Sequence, residues 1–217
     1  MINLKKSFVH SVQFKAGHLA FIQLPVVVFC LLNFTAIMAD PVEDTKKAEE
    51  AYYRDDLPVA LELYRKAANE GYAPAQVRLA YILDWSESNE EAVEWYRKAV
   101  EQNNAEGKFG LGVMYSNGEG VETDPELALK LISESAEQEY PPAMNRLGVA
   151  YERGEFSLDK DENQALLLIK QAAELGDKLA MQRLIKAYRA GELGLAVDAE
   201  QAQYWTDQMN KKRPGNR

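Results

Sequence analysis

The sequence predicts an all-α protein in which helix-turn-helix repeats stack into a right-handed α-solenoid. The first observation is a repeat, because an alanine recurs at steps of 32, 36, 37 and 37 residues, at Ala60, Ala92, Ala128, Ala165 and Ala202. The second is the helical spacing of apolar residues before and after each joint, the loop between the two helices of a repeat. The third is a glycine and an aspartate that mark most of the joints. A period of about 36 residues with two helices in each unit is typical of solenoids and not of compact bundles.

The first helix of each repeat shows apolar or small residues at the spacing i, i+4, i+8, which is one face of a helix. A leucine marks its centre in four repeats, at Leu79, Leu111, Leu147 and Leu184. The second helices are predicted over residues 58–71, 90–102, 126–138, 163–175 and 200–210. These segments predict a helical repeat domain over 40–210, with a partial repeat over 45–71 and repeats over 73–103, 105–139, 141–176 and 178–210. Within the partial repeat, residues 45–54 are expected to be a half-formed first helix.

The stretch LGVMYSNGEGVETD, residues 111–124, is a glycine-rich joint that suggests a phosphate or calcium loop when it is read alone. It lacks the lysine of a phosphate loop and the ligand register of a calcium loop. Its glycine is instead expected to end the first helix in a left-handed conformation, as in two later repeats, at Gly118, Gly154 and Gly191. An aspartate is expected to cap the second helix in the same repeats, at Asp124, Asp161 and Asp198. Ser88 is expected to cap a second helix in the same way, with Glu91 completing a capping box.

The two ends of the chain differ from the repeats in composition. Residues 1–39 hold three lysines, no acid and an apolar run from Ala20 to Ala39, which is the pattern of a secretory signal peptide cleaved after Ala39. The alternative is an uncleaved membrane anchor, since about 20 apolar residues can span a bilayer. Residues 211–217 form a short basic tail.

Charge and residue usage exclude several classes of function. All 34 acidic residues but only 22 of the 25 basic ones follow residue 39, so the remainder has a formal charge of about −12, which argues against nucleic acid as a partner. His10, His18 and Cys30 all precede residue 40, so the repeat domain has no histidine or cysteine for a triad, a thiol nucleophile or a usual zinc site. No catalytic, cofactor or metal residue is therefore assigned. A hydrolase would depend on paired carboxylates.

The segment AEGKFGLGVMYSNGEGVETDPELALKL, residues 105–131, resembles a repeat of the Sel-one-like family, a branch of the tetratricopeptide-like solenoids. The resemblance covers about residues 55 to 210. It implies a non-enzymatic adaptor that binds a protein or peptide, in a setting such as envelope assembly, signalling or host contact. With the signal peptide, it places the protein in the periplasm of a Gram-negative bacterium or outside the cell. The alternatives are a wall-acting hydrolase and an envelope assembly factor anchored in the inner membrane.

A row of basic residues stands one position before the central leucine of the first helices. Arg78, Arg146 and Arg183 occupy this position in three repeats, and Gly110 occupies it in the fourth. Because first helices line the inner curve of such a solenoid, the arginines are expected to form a row on its concave face. Tyr81, Asn145 and Lys186 are expected beside them. Arginine binds carboxylates bidentately, so the row suits an acidic or C-terminal group of a peptide. The alternative is that each arginine pairs with an acid of the next repeat.

Overall fold

A computed structural model describes residues 40–211, and this part of the chain folds into ten α-helices. The helices are α1 Pro41–Tyr53, α2 Leu57–Asn69, α3 Ala73–Trp85, α4 Asn89–Glu101, α5 Ala105–Asn117, α6 Pro125–Glu137, α7 Pro141–Arg153, α8 Glu162–Glu174, α9 Lys178–Ala190 and α10 Ala199–Asn210. A short 3₁₀ turn, Glu155–Ser157, follows α7. The signal peptide or anchor predicted over 1–39 and most of the basic tail, 212–217, lie outside the described residues.

The helices pack as five consecutive pairs, and each second helix also packs against the first helix of the next pair. First helices of neighbouring pairs touch directly as well, α1 with α3, α3 with α5 and α7 with α9. Within residues 40–211, second helices of neighbouring pairs make at most marginal contacts with one another. A stack of repeats curves toward the side on which its units approach more closely, so the first helices line the inner side of this solenoid.

The first pair is complete, whereas the sequence predicts a partial repeat over 45–71 with a half-formed helix. Helix α1 has 13 residues, as many as α2, and it begins four residues before the expected segment. The reason is a capped start, because the Asp40 carboxylate accepts a hydrogen bond from the Val42 amide at 3.0 Å and Pro41 occupies the first turn. The repeat pattern begins later than this capped start, so the predicted first helix begins too late and its extent is underestimated.

Small residues allow the two helices of a pair to approach closely. The five repeated alanines are buried, Ala60, Ala92, Ala128, Ala165 and Ala202. A Cβ atom on Gly112 would lie 2.9 Å from Ile132 Cγ1, and one on Gly148 would lie 2.8 Å from Ile169 Cγ1. These glycines therefore set the spacing of α5 with α6 and of α7 with α8. A polar contact lies at the border of this core, where the largely buried Lys108 places its Nζ 2.7 Å from Oε2 of the partly exposed Glu134.

The joints have the predicted form in three repeats. The glycines after α5, α7 and α9 have left-handed φ angles of 76°, 71° and 72°, at Gly118, Gly154 and Gly191. The aspartate side chains at the next helix starts each accept an amide hydrogen bond at 2.9 Å, at Asp124, Asp161 and Asp198. The capping box predicted at Ser88 is wrong, because its side chain makes no capping hydrogen bond. The Glu91 carboxylate instead accepts hydrogen bonds from Arg65 and from Trp95 Nε1.

Candidate binding groove on the first helices

Arg78 lies on α3 with about half of its side chain exposed. Its Nη1 is 3.3 Å from Glu106 Oε1 on α5, the first helix of the next repeat. Tyr81, one turn further along α3, is also partly exposed and lines the same small cavity as Arg78. These two predicted residues therefore lie together, at the end of the row nearest α1.

Arg146 lies on α7 and is held from two sides by the turn that follows this helix. Its Nη1 donates to Glu155 Oε2 at 2.5 Å, and its guanidinium carbon is 4.8 Å from the centre of the Phe156 ring. Phe156 has a φ angle of 56°, in the left-handed region that non-glycine residues rarely adopt. The strained turn thus places an anion and an aromatic face against one arginine, and only about a quarter of that side chain remains exposed.

Arg183 and Lys186 lie on α9 and also have acidic neighbours. Arg183 Nη1 is 3.5 Å from Glu152 Oε2 on α7, and Lys186 Nζ is 3.0 Å from Glu192 Oε2. Every arginine of the predicted row therefore has an acidic partner. Only Arg78 pairs with the next repeat, since the partner of Arg146 is in its own repeat and that of Arg183 is in the preceding one.

Three of the six predicted residues meet in one open groove of about 510 Å³. The name α7 groove is used here for this surface, which contains Asn145, Arg146, Arg183 and the apolar residues Phe109, Val149 and Leu179. Arg153, Glu155 and Asp177 also line it. Arg78 and Tyr81 belong to the separate cavity near α1, and Lys186 lines a third surface with Ile185 and Met209. The row is therefore divided among three surfaces.

Asn145 has an unusual environment in the α7 groove. Its side chain is only 7% exposed, and its Oδ1 atom is buried without a hydrogen-bond partner among the described residues. A buried polar atom without a partner costs about 1–3 kcal/mol, and such atoms are rare in folded proteins. Three other described residues have such an atom, Asp44, Asn89 and Glu152, but of the four only Asn145 lines one of the surfaces described above, which makes it the candidate for contact with a ligand.

The gap in the arginine row at Gly110 is filled by a ring from the preceding repeat. A Cβ atom on Gly110 would lie 2.4 Å from Cε1 and 2.5 Å from Cζ of Tyr96, which is almost fully buried. The aromatic side chain of α4 thus occupies the position where arginine side chains begin in the other repeats. The sequence shows both residues but not their contact, because they lie on different helices and 14 positions apart.

The residues that hold Arg146 and those of the apolar wall are not among the residues predicted from the sequence. Glu155 follows the glycine joint and has counterparts in the other loops, Glu119 and Glu192, so repetition marks its position but not its contact with Arg146. Phe156 is aromatic where the other loops have Gly120 and Leu193, so repetition does not indicate its ring. Leu179 has a detectable signal, since it is a large apolar residue next to the repeated Ala180 and is 62% exposed. A single exposed apolar residue is common on protein surfaces, so Leu179 becomes informative only through the groove that it shares with Phe109 and Val149.

The carboxylates give little support to a hydrolytic site in the described residues. The pKa of the Asp84 carboxyl is raised by burial and by the nearby charge of Glu119. Neither of these acids lines the α7 groove or the cavity near α1. Within residues 40–211 no cluster of three or more histidine, cysteine and acidic residues is arranged to hold a metal ion. Over the same residues, no helix combines the length and the apolar character needed to cross a bilayer.

The five stacked helix pairs, with their glycine stops and aspartate caps, define a solenoid of the tetratricopeptide-like class. The family model for the Sel1 repeat matches five segments, 52–72, 73–104, 105–140, 141–177 and 178–209. The chain therefore belongs to the Sel1 repeat family, as the resemblance in the sequence predicts. Repeats of this family generally serve as scaffolds for protein–protein interaction.

Relatives and solved structures agree with this assignment. A protein of Neisseria meningitidis serogroup B, described as uncharacterized, is 40% identical over 93 residues, which is 43% of this chain and 20% of that protein. The chain spans a fifth or less of the length of the curated relatives that it matches. A crystal structure of a Sel1 repeat protein from Oxalobacter formigenes aligns with a TM-score of 0.74 and 25% identity over 82% of this chain and 73% of that one. A protective antigen of uropathogenic Escherichia coli with the same repeat fold aligns with a TM-score of 0.60 and 28% identity over 80% and 39%.

Proposed function

We propose that this protein is an exported scaffold that captures an extended peptide segment of a partner protein in the α7 groove. The single observation that carries the proposal is the buried and unpartnered Oδ1 atom of Asn145 in a groove that is also lined by three arginines, Arg146, Arg153 and Arg183. Capture is an equilibrium and involves no covalent step.

A peptide backbone supplies what the Asn145 amide lacks. A backbone N–H group can donate to the Oδ1 atom, and the neighbouring backbone carbonyl can accept from the side-chain amide. Exposed apolar surface beside it, chiefly Leu179 and Phe109, gives the side chains of the peptide a place to pack. These features favour an extended peptide over a small charged molecule, because only the peptide matches both the amide and the apolar wall.

Arg146 and Arg183 select for an acidic group on that peptide. A guanidinium has five N–H donors, and the pairing with Glu155 and Glu152 leaves donors free on both arginines. Arg146 is also held in place by the Phe156 ring, so little rotamer entropy is lost when it binds a ligand. An acidic side chain or a C-terminal carboxylate of the partner would therefore be bound here with charge-assisted hydrogen bonds.

Selection of displayed peptides on the purified full-length protein tests this function. Affinities of the selected peptides are then compared for wild type, Asn145→Ala and an Arg146→Ala/Arg183→Ala double variant. Arg97→Ala is the matched control, since Arg97 lies on the second helix α4 and pairs with Glu94 and Tyr115. Loss of hydrogen bonds that involve charged groups costs about 1.5–3 kcal/mol, or roughly 10- to 150-fold in affinity.

The variants are expected to distinguish the contribution of the peptide backbone from that of its acidic group. Asn145→Ala should weaken every selected peptide, while the arginine variant should weaken only those that carry a carboxylate. Removing the buried, unpartnered Oδ1 atom leaves no new unsatisfied acceptor, so Asn145→Ala should unfold at about the same temperature as wild type. The function is refuted if no peptide is selected, or if Arg97→Ala reduces affinity as much as Asn145→Ala.

Export to the periplasm or beyond the cell is part of the same proposal. Its support is the basic start and the apolar run from Ala20 to Ala39 in the sequence. The alternative is that this segment is retained and tethers the scaffold to the inner membrane as an envelope assembly factor. Intact mass of the protein purified from cells distinguishes them, because cleavage after Ala39 leaves a chain that begins at Asp40. Recovery of uncleaved protein only in the membrane fraction would favour the anchor.

A further inference from the structure

A second cavity lies between α1 and α3, apart from the α7 groove. The name tyrosine pocket is used for this cavity, which is lined by Glu49, Tyr52, Tyr53, Tyr64, Arg78, Tyr81 and Ile82. Four of these seven side chains are phenol rings. No other surface described above has such a concentration of aromatic residues.

The rings form a floor and a rim. Tyr64 is 2% exposed and closes the bottom, whereas Tyr52 and Tyr81 are partly exposed and Tyr53 is 80% exposed. Tyr52 and Tyr53 meet edge to face, with ring centres 6.1 Å apart and planes at 74°. Rings at different angles present both faces and edges to the space between them, and aromatic faces attract cations.

Two charged side chains line the tyrosine pocket, Glu49 and Arg78. Arg78 is paired with Glu106, which is not a lining residue, whereas Glu49 forms no ion pair among residues 40–211. Counted together with Glu106, these side chains sum to one net negative charge. Burial together with the Glu49 charge raises the pKa of the Tyr64 phenol to about 12. The negative charge of Glu49 therefore acts on the ring at the bottom of the pocket. The formal charge of about −12 on residues 40–217 would also attract a basic partner from a distance.

The size of the cavity limits what can enter. Its volume is about 90 Å³, well below the roughly 300–1,000 Å³ of sites for small-molecule ligands. A space of this size accommodates the end of one side chain. An aromatic wall with an unpaired carboxylate complements the ammonium of lysine or the guanidinium of arginine, each of which can also place its methylene stem against the rings.

We propose that the tyrosine pocket binds the cationic end of a lysine or arginine side chain of the same partner peptide. This inference rests on the proposed function and specifies its ligand further. Helix axes in contact are about 8–10 Å apart and an extended chain rises about 3.3 Å per residue, so the pocket and the α7 groove are roughly 20–25 Å or six to eight residues apart. The partner segment should thus carry a basic residue and an acidic group at about this separation.

Titration with blocked amino acids tests the pocket directly. The probes are Nα-acetyl-arginine amide, Nα-acetyl-lysine amide, the neutral Nα-acetyl-norleucine amide and the acidic Nα-acetyl-aspartate amide. Each is added to the full-length protein with labelled tyrosines, and ring resonances of Tyr52, Tyr53 and Tyr81 are followed by NMR. Glu49→Gln and Tyr81→Leu perturb the pocket. Glu50→Gln is the matched control, because it removes the same charge from an exposed position one residue along α1.

The cationic probes should shift the tyrosine resonances in a saturable manner, and the norleucine probe should not. Glu49→Gln should weaken their binding at least fivefold, while Glu50→Gln should change it less than twofold. Tyr81→Leu should abolish the response while circular dichroism and the unfolding midpoint show that the helices persist. The inference is overturned if the aspartate probe binds in preference, which would indicate an anion site at Arg78, or if Glu49→Gln and Glu50→Gln behave alike.

Failure of the proposed function remains distinguishable from failure of this inference. Asn145→Ala disables the α7 groove but leaves the tyrosine pocket untouched, so the cationic probes should bind this variant with wild-type affinity. If peptide selection fails while the probes still bind, the pocket stands and the groove does not. If peptides are selected but show no preference for a basic residue, and the probes do not bind, the groove stands and the pocket does not.

Discussion

The substitution Gly110→Ala tests whether a side chain of the preceding repeat keeps this position of α5 free of a Cβ atom. The added carbon would lie 2.4, 2.5 and 2.9 Å from three carbons of the Tyr96 ring. Separations below 3.0 Å force a movement, and the ring is only 5% exposed, so it has little room to move away. The ring or the helix must therefore shift within a packed core.

Two opposing terms set the size of the effect. Overpacking of a core costs about 1–3 kcal/mol. Alanine in a helix is favoured over glycine by about 1 kcal/mol, which offsets part of that cost. The net expectation is a loss of about 1 kcal/mol in the free energy of unfolding. For a domain of this size, that corresponds to a decrease of roughly 2–4 °C in the unfolding temperature.

A double-mutant cycle in urea separates the ring from all other causes. In a Tyr96→Leu background the ring is absent, so Gly110→Ala should become stabilising by about 1 kcal/mol through helix propensity alone. The coupling between the two positions should then be about 2 kcal/mol. If Gly110→Ala has the same effect in both backgrounds, the ring is not the reason for glycine, and the explanation of the gap in the arginine row fails.

Five further substitutions test the joints and one partly exposed ion pair. Gly120→Ala should lower the free energy of unfolding by about 2–4 kcal/mol, because its Cβ would lie 2.4 Å from a backbone atom at the start of α4. Gly194 has nearly the same φ angle, but its Cβ would have no atom nearer than 3.7 Å. Gly194→Ala should therefore cost only the roughly 1–2 kcal/mol of left-handed strain. Asp124→Ala should cost about 1 kcal/mol and Ser88→Ala less than about 0.5 kcal/mol, because only the aspartate side chain makes a capping hydrogen bond. Urea unfolding measures the effect of these two substitutions and of the two glycine substitutions. A hydrogen bond from the buried Lys108 lowers the pKa of the Glu134 carboxyl. The stability that this pair contributes is therefore complete above pH 4.5 and is lost as pH falls through the lowered pKa. Glu134→Gln should flatten this acid dependence in thermal melts, and an unchanged dependence would contradict the pairing.

The repeat architecture could be predicted from the sequence because its causes are local. Helix periodicity, a glycine at the left-handed position and an aspartate at the helix start each depend on residues within one or two turns. The family model and the solved structures confirm the fold that these signals predict. Ser88 shows the limit of such local rules, since its partner in the expected capping box, Glu91, is engaged by Arg65 from the preceding repeat.

The arrangement of the candidate groove could be predicted only in part, because it depends on contacts between repeats. The row of arginines is visible in the sequence, and Arg146 and Arg183 do share one groove. Their acidic partners come from a loop and from the preceding repeat; a glutamate recurs at the position of Glu155, but the period does not indicate either pairing. The residues equivalent to Phe156 in the other glycine loops, Gly120 and Leu193, are also left-handed, with φ angles of 67° and 55°. The glycine at this position in one repeat is therefore the signal for the turn, and Phe156 itself gives none.

The repeated backbone gives every first helix the same geometry, so differences in binding must arise from side chains at equivalent positions. At the position before the central leucine, the change from arginine to Gly110 admits the Tyr96 ring and interrupts the basic row. On one side of this interruption lie aromatic rings with the unpaired charge of Glu49, and on the other lie three arginines with the unpartnered Oδ1 atom of Asn145. A uniformly acidic peptide would match only the second side, and a uniformly basic peptide only the first. A segment with a basic residue at one end and an acidic group about two repeats further along satisfies both, so charge order along the partner chain, more than its net charge, should determine whether it binds.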